Sequence, residues 1–245
     1  MRIVCSNISK QYAKQSLNVK DSILNIKKNS IYTRGWAIRN ISFNLKEGHS
    51  LGIVGHNGTG KTTLLSILMG SISPDDGEIK VNGKVCSLIE LGTGFHPDLT
   101  GIENIYLYGS ILGLRISTIK EKIADIVDFS ELGSSVNQQL RTFSSGMIAR
   151  LGFAVIAFSD PDIILVDEVL AVGDLNFQKK CVKHMLSFKK NGGSLIIVSH
   201  DPNTIKSLCE ETIVLDEGKL VFKGKSKLAL KKYQDIMLKR HDEKR

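Results

Sequence analysis

Short apolar runs alternate along this chain with helical apolar stripes, and that alternation predicts an α/β fold. Residues 2–8 read as a first strand. Residues 13–34 are polar and basic with weak periodicity, and are expected to leave the sheet. Trp36 to Leu45 resumes as a strand on Ile38, Ile41, Phe43 and Leu45, and Glu47-Gly48 turns into a short buried strand, Ser50 to Val54. Lys61 to Met69 reads as a helix with Leu64, Leu65 and Leu68 on one face. Pro74-Asp75-Asp76-Gly77 is a turn, followed by strands at 78–82 and 84–91.

From 92 to 158 the pattern becomes helical, with helices over Glu103 to Leu114, Ser117 to Phe129, and from Ser144 through Phe158. The α/β pattern then returns. Ile163 to Val166 is wholly apolar, as a central strand of a parallel sheet should be. A helix over Asn176 to Lys190, a strand at Ser194 to Val198, a short helix at Thr204 to Cys209 and strands at 212–216 and 219–222 follow. From Ser226 an amphipathic helix places Leu230, Tyr233 and Met237 on one stripe. We therefore expect a single domain, 1–245. An α/β core occupies 1–91 and 159–225, a helical insertion 92–158, and a basic C-terminal helix 226–245.

Composition narrows the class. No run of about eighteen apolar residues occurs, so the chain is not expected to span a membrane by itself. The start, Met1-Arg2-Ile3-Val4-Cys5, lacks the apolar core of a signal peptide. Cys5, Cys86, Cys181 and Cys209 are widely spaced, which suits reduced, buried side chains in a cytosolic protein and not a metal site. The net charge is +8, unevenly placed: residues 10–39 carry seven basic groups against Asp21, and residues 223–245 carry nine against three acids. Two basic segments flanking a mildly acidic body suit an anionic surface, lipid headgroups or nucleic acid; equally, they suit a solvated loop and a solvated tail.

The candidate chemistry centres on Gly55-His56-Asn57-Gly58-Thr59-Gly60-Lys61-Thr62, with Thr63 after it. Between a strand and a helix, this spacing is a phosphate-binding loop. Its glycines let backbone N–H groups approach phosphate oxygens, and the following helix N-terminus adds partial positive charge. Lys61 would reach the β- and γ-phosphates of ATP, and the Thr62 hydroxyl would ligate Mg²⁺. Asp167-Glu168 ends the apolar strand, where adjacent carboxylates need a cation or a proton to handle. Asp167 would hold Mg²⁺ and Glu168 would act as general base on water. His200, after the strand ending at Val198, can reach the γ-phosphate. Ser144 and Gly146 open a helix and could form a second anion site.

In this order, these motifs resemble the ATP-binding cassette (ABC) ATPases over almost the whole chain. The resemblance implies a phosphate-loop core with an antiparallel β subdomain and a helical signature subdomain. Phe143-Ser144-Ser145-Gly146-Met147 stands where the family usually has L-S-G-G-Q, departing at three positions but keeping Ser144 and Gly146 as γ-phosphate contacts. The family pairs two chains head-to-tail, so that each phosphate loop faces the other copy's signature, with Asp174 in the loop crossing the dimer interface. Glu90 stands where most cassettes place a glutamine near Mg²⁺, and Tyr12, or alternatively Trp36, would stack on adenine.

Three longer segments give a narrower resemblance: Glu90-Leu91-Gly92-Thr93-Gly94-Phe95-His96-Pro97, Ser144-Ser145-Gly146-Met147 with Arg150-Leu151-Gly152-Phe153-Ala154, and Asp167 through Asp174 with Phe177-Gln178 and Lys180-Cys181. These look like ATPase subunits of exporters for lipid-linked polysaccharides such as O-antigen and teichoic acid. The resemblance implies a homodimer, peripheral on the cytoplasmic face of the inner (plasma) membrane, partnered by a polytopic permease, and not binding nucleic acid. The 13–34 excursion is expected to face that membrane partner. The extra C-terminal carbohydrate-binding domain of some such exporters is not expected. Rival readings are a cassette exporting another substrate, a soluble cassette acting on nucleic acid or ribosomes, and a regulator without turnover; Glu168 speaks against the last.

Overall fold

The computed structural model describes residues 1–14, 33–89, 91–167 and 173–242. Two sheets carry the fold. Strands β1 (Ile3–Lys14), β2 (Thr33–Leu45) and β4 (Asp76–Val81) form an antiparallel sheet in the order β2-β1-β4. The larger sheet runs β5-β6-β7-β3-β8-β9, from Val85–Ser87, Ile163–Asp167, Ser194–Val198, Ser50–Val54, Glu211–Asp216 and Lys219–Lys225. Its strands pair in parallel from β5 to β8, and β9 returns antiparallel.

Burial on both faces explains the uninterrupted apolar strands, because successive side chains feed opposite cores. Ile163, Leu165, Ile196 and Val198 pack with Ile3, Ile8, Ile38 and Ile41 from the antiparallel sheet. Ile164, Val166, Leu195 and Ile197 face the other core, with Phe153, Phe177 and Met185. Helix α1 (Lys61–Leu68) buries Leu64, Leu65, Ile67 and Leu68. The helical insertion holds α2 (Gly101–Ile111), α3 (Ile116–Ser130) and α4 (Ser145–Ala157), with two short 3₁₀ turns at Gly133–Asn137 and Leu140–Thr142. A capping box between Thr100 and Glu103 fixes the start of α2. Helices α5 (Leu175–Lys190), α6 (Pro202–Leu208) and α7 (Ser226–Asp242) complete the chain.

Several boundaries differ from the sequence expectation. β1 runs on past residue 8 because it is half of a long hairpin with β2, Ala13 pairing with Arg34 and Lys14 with Thr33. The arms of the 13–34 excursion are thus strand, and residues 15–32 lie outside the described residues. The strand expected over 84–91 is only Val85–Ser87, since its pairing with β6 stops at Leu165. Pro202, pre-set for a first helical turn, starts α6 earlier than Thr204. On α7 the inward stripe is Ala229, Leu230, Tyr233 and Ile236, whereas Met237 is 39% exposed.

Candidate functional site

Neighbouring parallel strands assemble the site. Register aligns Asp167 of β6 with Val198 of β7, and Val198 with Ile53 of β3. The chain therefore leaves β3 into the Gly55–Gly60 loop at the same sheet edge where Asp167 ends β6 and His200 follows β7. Such carboxyl-end crevices are where open α/β sheets bind ligands.

The loop is built for an anion. Gly58 and Gly60 hold φ of +82° and +95°, in the left-handed region. Thr59 is buried, its N–H and hydroxyl both donating to the His56 carbonyl at 3.3 and 2.9 Å. Lys61 folds over the loop, Nζ donating to the carbonyls of Gly55 at 2.7 Å and His56 at 3.1 Å. Gly60 caps α1 without any side-chain bond, so the Thr62 and Thr63 N–H groups stand uncapped at the helix start. Asn57 accepts through its carbonyl a 2.6 Å contact from His56 Nδ1. These uncapped donors fit a phosphate chain. The exposed Thr62 hydroxyl and the half-buried Asp167 are oxygen donors of the kind Mg²⁺ prefers.

Glu168 and Glu90 lie outside the described residues. His200 is exposed, immediately ahead of Asp201, whose carboxylate caps α6. The Thr204 hydroxyl, with the Asn203 and Thr204 N–H groups, holds that carboxyl below its ordinary range. Tyr12 and Trp36 are 47% and 45% exposed. Gln11 pairs with Trp36 and Tyr12 with Gly35, which sends the two rings to opposite faces of the hairpin.

Ser144 and Gly146 open α4 in the helical insertion, not the sheet edge that carries this cluster. Ser144 Oγ accepts from the Met147 N–H at 3.2 Å and caps α4; Ser144 is exposed and Gly146 half-buried. Asp174 caps α5 through the Asn176 and Phe177 N–H groups at 2.9 and 3.0 Å. The Phe177 N–H above all, with the Asn176 N–H and the Arg150 guanidinium, holds its carboxyl low.

Two site features escaped the sequence reading. Asp216, read only as the last residue of a strand, places Oδ1 3.4 Å from His56 Nε2. Arg240 donates to that same Oδ1 at 2.7 Å. The parallel register was the missing signal: Val54 pairs with Val214, so His56 and Asp216 fall opposite each other two residues on.

Comparison with known proteins adds to this geometry. The family model described as ABC transporter matches residues 38–171. The O-antigen export system ATP-binding protein RfbB of Klebsiella pneumoniae is 39% identical over 238 residues, covering 95% of this chain and 97% of that one. The teichoic acids export ATP-binding protein TagH of Listeria innocua is 37% identical over 238 residues, 97% of this chain and 71% of its own length. Among solved structures, the dimeric post-hydrolysis state of the ATP-binding cassette MJ0796, bound to ADP and Pi, superposes with a TM-score of 0.74. That pair is 21% identical, covering 91% of this chain and 98% of the cassette, and the likeness establishes the fold.

Proposed function

Since the chain belongs to the ABC transporter family, we propose that it is the ATP-hydrolysing subunit of an exporter moving lipid-linked polysaccharide across a membrane. The observation that carries the ATPase half is the convergence of the uncapped phosphate loop, Asp167 and His200 on one edge of the parallel sheet. The likeness, over 95% and 97% of this chain, to an O-antigen export ATP-binding protein and a teichoic acids export ATP-binding protein supports the substrate half. Among the described residues no helix is long and apolar enough to cross a membrane, so a separate permease supplies the path.

In this reading the loop N–H groups and Lys61 hold the ATP phosphates, from Gly55 through Thr63. Thr62, Asp167 and Glu90 would hold Mg²⁺, which would supply charge neutralisation on the phosphates. Glu168 takes the proton of the attacking water, and His200 donates to the γ-phosphate. Tyr12 stacks on adenine. Ser144 and Gly146 of a second copy close over the γ-phosphate, because within one chain they open a helix of the insertion and not the sheet edge that carries the loop. ATP thereby joins two copies and hydrolysis frees them, which moves the permease. The subunit works peripherally at the cytoplasmic face of the plasma membrane.

The test pairs turnover with capture. Glu168→Gln is expected to retain ATP binding while turnover falls at least about a hundredfold. Unchanged turnover would refute the assigned base. Affinity capture from native membranes should bring down a polytopic protein in equal amount, and cells lacking the chain should accumulate lipid-linked glycan. Capture of ribosomes or nucleic acid without a membrane protein would overturn the export role.

A further inference from the structure

The C-terminal helix α7 reaches back to the phosphate loop through a carboxylate. Its stripe Ala229, Leu230, Tyr233 and Ile236 packs on the core, and Arg240, one turn beyond Ile236, continues that line toward the β8–β9 turn. There Nη2 donates to Asp216 Oδ1 at 2.7 Å and to Glu217 Oε1 at 3.1 Å. Asp216 Oδ1 lies 3.4 Å from His56 Nε2, a nitrogen shielded from solvent that makes no hydrogen bond. On the other ring nitrogen, His56 contacts the Asn57 carbonyl at 2.6 Å, and its own carbonyl accepts from Lys61 and Thr59. Arg240 and Asp216 are 31% and 22% exposed, so the pair is partly desolvated and less screened than an open surface bridge.

The geometry points to Arg240 as a positioning residue for ATP binding: through Asp216 it neutralises a carboxylate beside the phosphate loop and sets the place of His56. The argument is electrostatic. Asp216 sits one strand from the loop that must receive a triphosphate, and an uncompensated carboxylate there opposes that ligand. With α7 docked, the guanidinium cancels the charge and holds Oδ1 toward the imidazole. With α7 undocked, Asp216 bears on His56 alone. The seat of the tail thus tunes nucleotide affinity, and this rests on the ATPase reading above.

Asp216 of β8 stands beside the His56 ring, Arg240 of α7 joins Asp216 to Glu217 of the β8–β9 turn, and Lys61 of α1 donates to the His56 carbonyl. Arg240→Ala is expected to raise the KM for ATP about threefold or more, with kcat within about twofold and Tm little changed. Adding D216N to R240A should bring KM back toward wild type, because the opposing charge is gone. Arg240→Lys should retain part of the effect. A KM untouched by R240A overturns the proposal, as does a rise that D216N leaves in place, since both mean that Asp216 is not the intermediary. A second arm needs no nucleotide. In side-chain NMR spectra R240A should shift the His56 imidazole resonances, because Asp216 Oδ1 loses the guanidinium that holds it beside Nε2. In the D216N background R240A should shift them little. Unmoved resonances overturn the link. A wild-type chain that binds no ATP overturns the ATPase reading, while the imidazole resonances still decide the link.

Discussion

Arg150 and Asp174 are joined by a 2.6 Å bond from guanidinium Nη2 to carboxylate Oδ2, which ties helix α4 to the cap of α5. The same guanidinium lies 3.6 Å from Glu131 Oε2 and 5.0 Å from the centre of the Phe177 ring. Glu131 in turn pairs with Lys180 at 2.9 Å. The helix that begins at the proposed signature and the loop that follows the proposed catalytic strand are thereby one electrostatic unit.

Breaking that unit should affect both fold and turnover. Arg150 is 19% exposed, so Arg150→Ala loses packing on Phe177 as well as its ion pairs. The expected loss is about 1–2 kcal/mol, or roughly 2–6 °C in Tm. ATP turnover should fall roughly tenfold, because Asp174 and the α4 start no longer hold one another. Arg150→Lys should recover only part of either, since an ammonium cannot fork between two carboxylates and lie flat on a ring. Calorimetry and a steady-state phosphate-release assay read the two effects. Turnover unchanged in R150A would separate the two elements functionally.

The two left-handed glycines of the phosphate loop should respond differently to a methyl group. A Cβ at Gly60 would lie 2.4 Å from the Ala37 carbonyl oxygen and 2.4 Å from Ile38 Cγ2, whereas one at Gly58 meets nothing within 4 Å. Gly58→Ala pays only the backbone penalty, about 1 kcal/mol. Gly60→Ala must also move β2 or the helix start, and should weaken ATP binding at least about tenfold. Equal effects of the two substitutions, measured with a fluorescent ATP analogue, would show that the loop and β2 are not in this register.

What could be read in advance was local. The apolar run Ile163 to Val166, the glycine-rich turn between β3 and α1 and the Ser144 cap all depend on neighbours in sequence, and each stands where expected. The β1–β2 hairpin was half hidden because its bulges, between Cys5 and Gln11, break the alternation a strand needs. The inward stripe of α7 was misassigned at Met237 because positions 236 and 237 both satisfy the helical period, and only packing chooses Ile236. Asp216, Arg240 and the Arg150 network bridge residues from 19 to 160 apart in the chain only through register and tertiary docking. No periodicity shows these.

Glu210 predicts an acid limb of stability. Burial pushes its carboxyl up, but the bonds from Lys189 and Ser50 outweigh this and hold it down at about 2, from an ordinary 4.5. Lys189 Nζ donates to Oε1 at 2.8 Å, and the Ser50 N–H and hydroxyl donate to Oε2 at 2.8 and 2.5 Å. The folded-state value is depressed, so the contribution is complete above about pH 4.5 and is lost as pH falls toward 2. Glu210→Gln should lower the urea midpoint at pH 7, for a loss of about 1 kcal/mol of stability once the half-exposed carboxylate is discounted for screening. It should also flatten the decline between pH 4.5 and 2. A decline of unchanged steepness would place the acid sensitivity elsewhere.

Phe177 offers the strongest test of the core that carries the site. It is fully buried, and its ring meets Phe129 edge-on at 5.9 Å and Phe153 at 6.2 Å. Phe129 stacks on Phe153 at 5.8 Å, so three rings from α3, α4 and α5 close one cluster. Removing the middle of such a cluster leaves a cavity that surrounding helices cannot fill without shifting. Phe177→Ala should cost about 3–5 kcal/mol, near 10 °C in Tm. Phe177→Leu keeps most of the volume and should cost under about 2 kcal/mol. Because the Phe177 N–H also holds Asp174 and its ring supports Arg150, Phe177→Ala should lose turnover even at temperatures where it remains folded. Far-UV circular dichroism fixes that temperature and phosphate release measures the loss. A folded F177A chain with wild-type turnover would mean that the three-ring cluster supports stability alone.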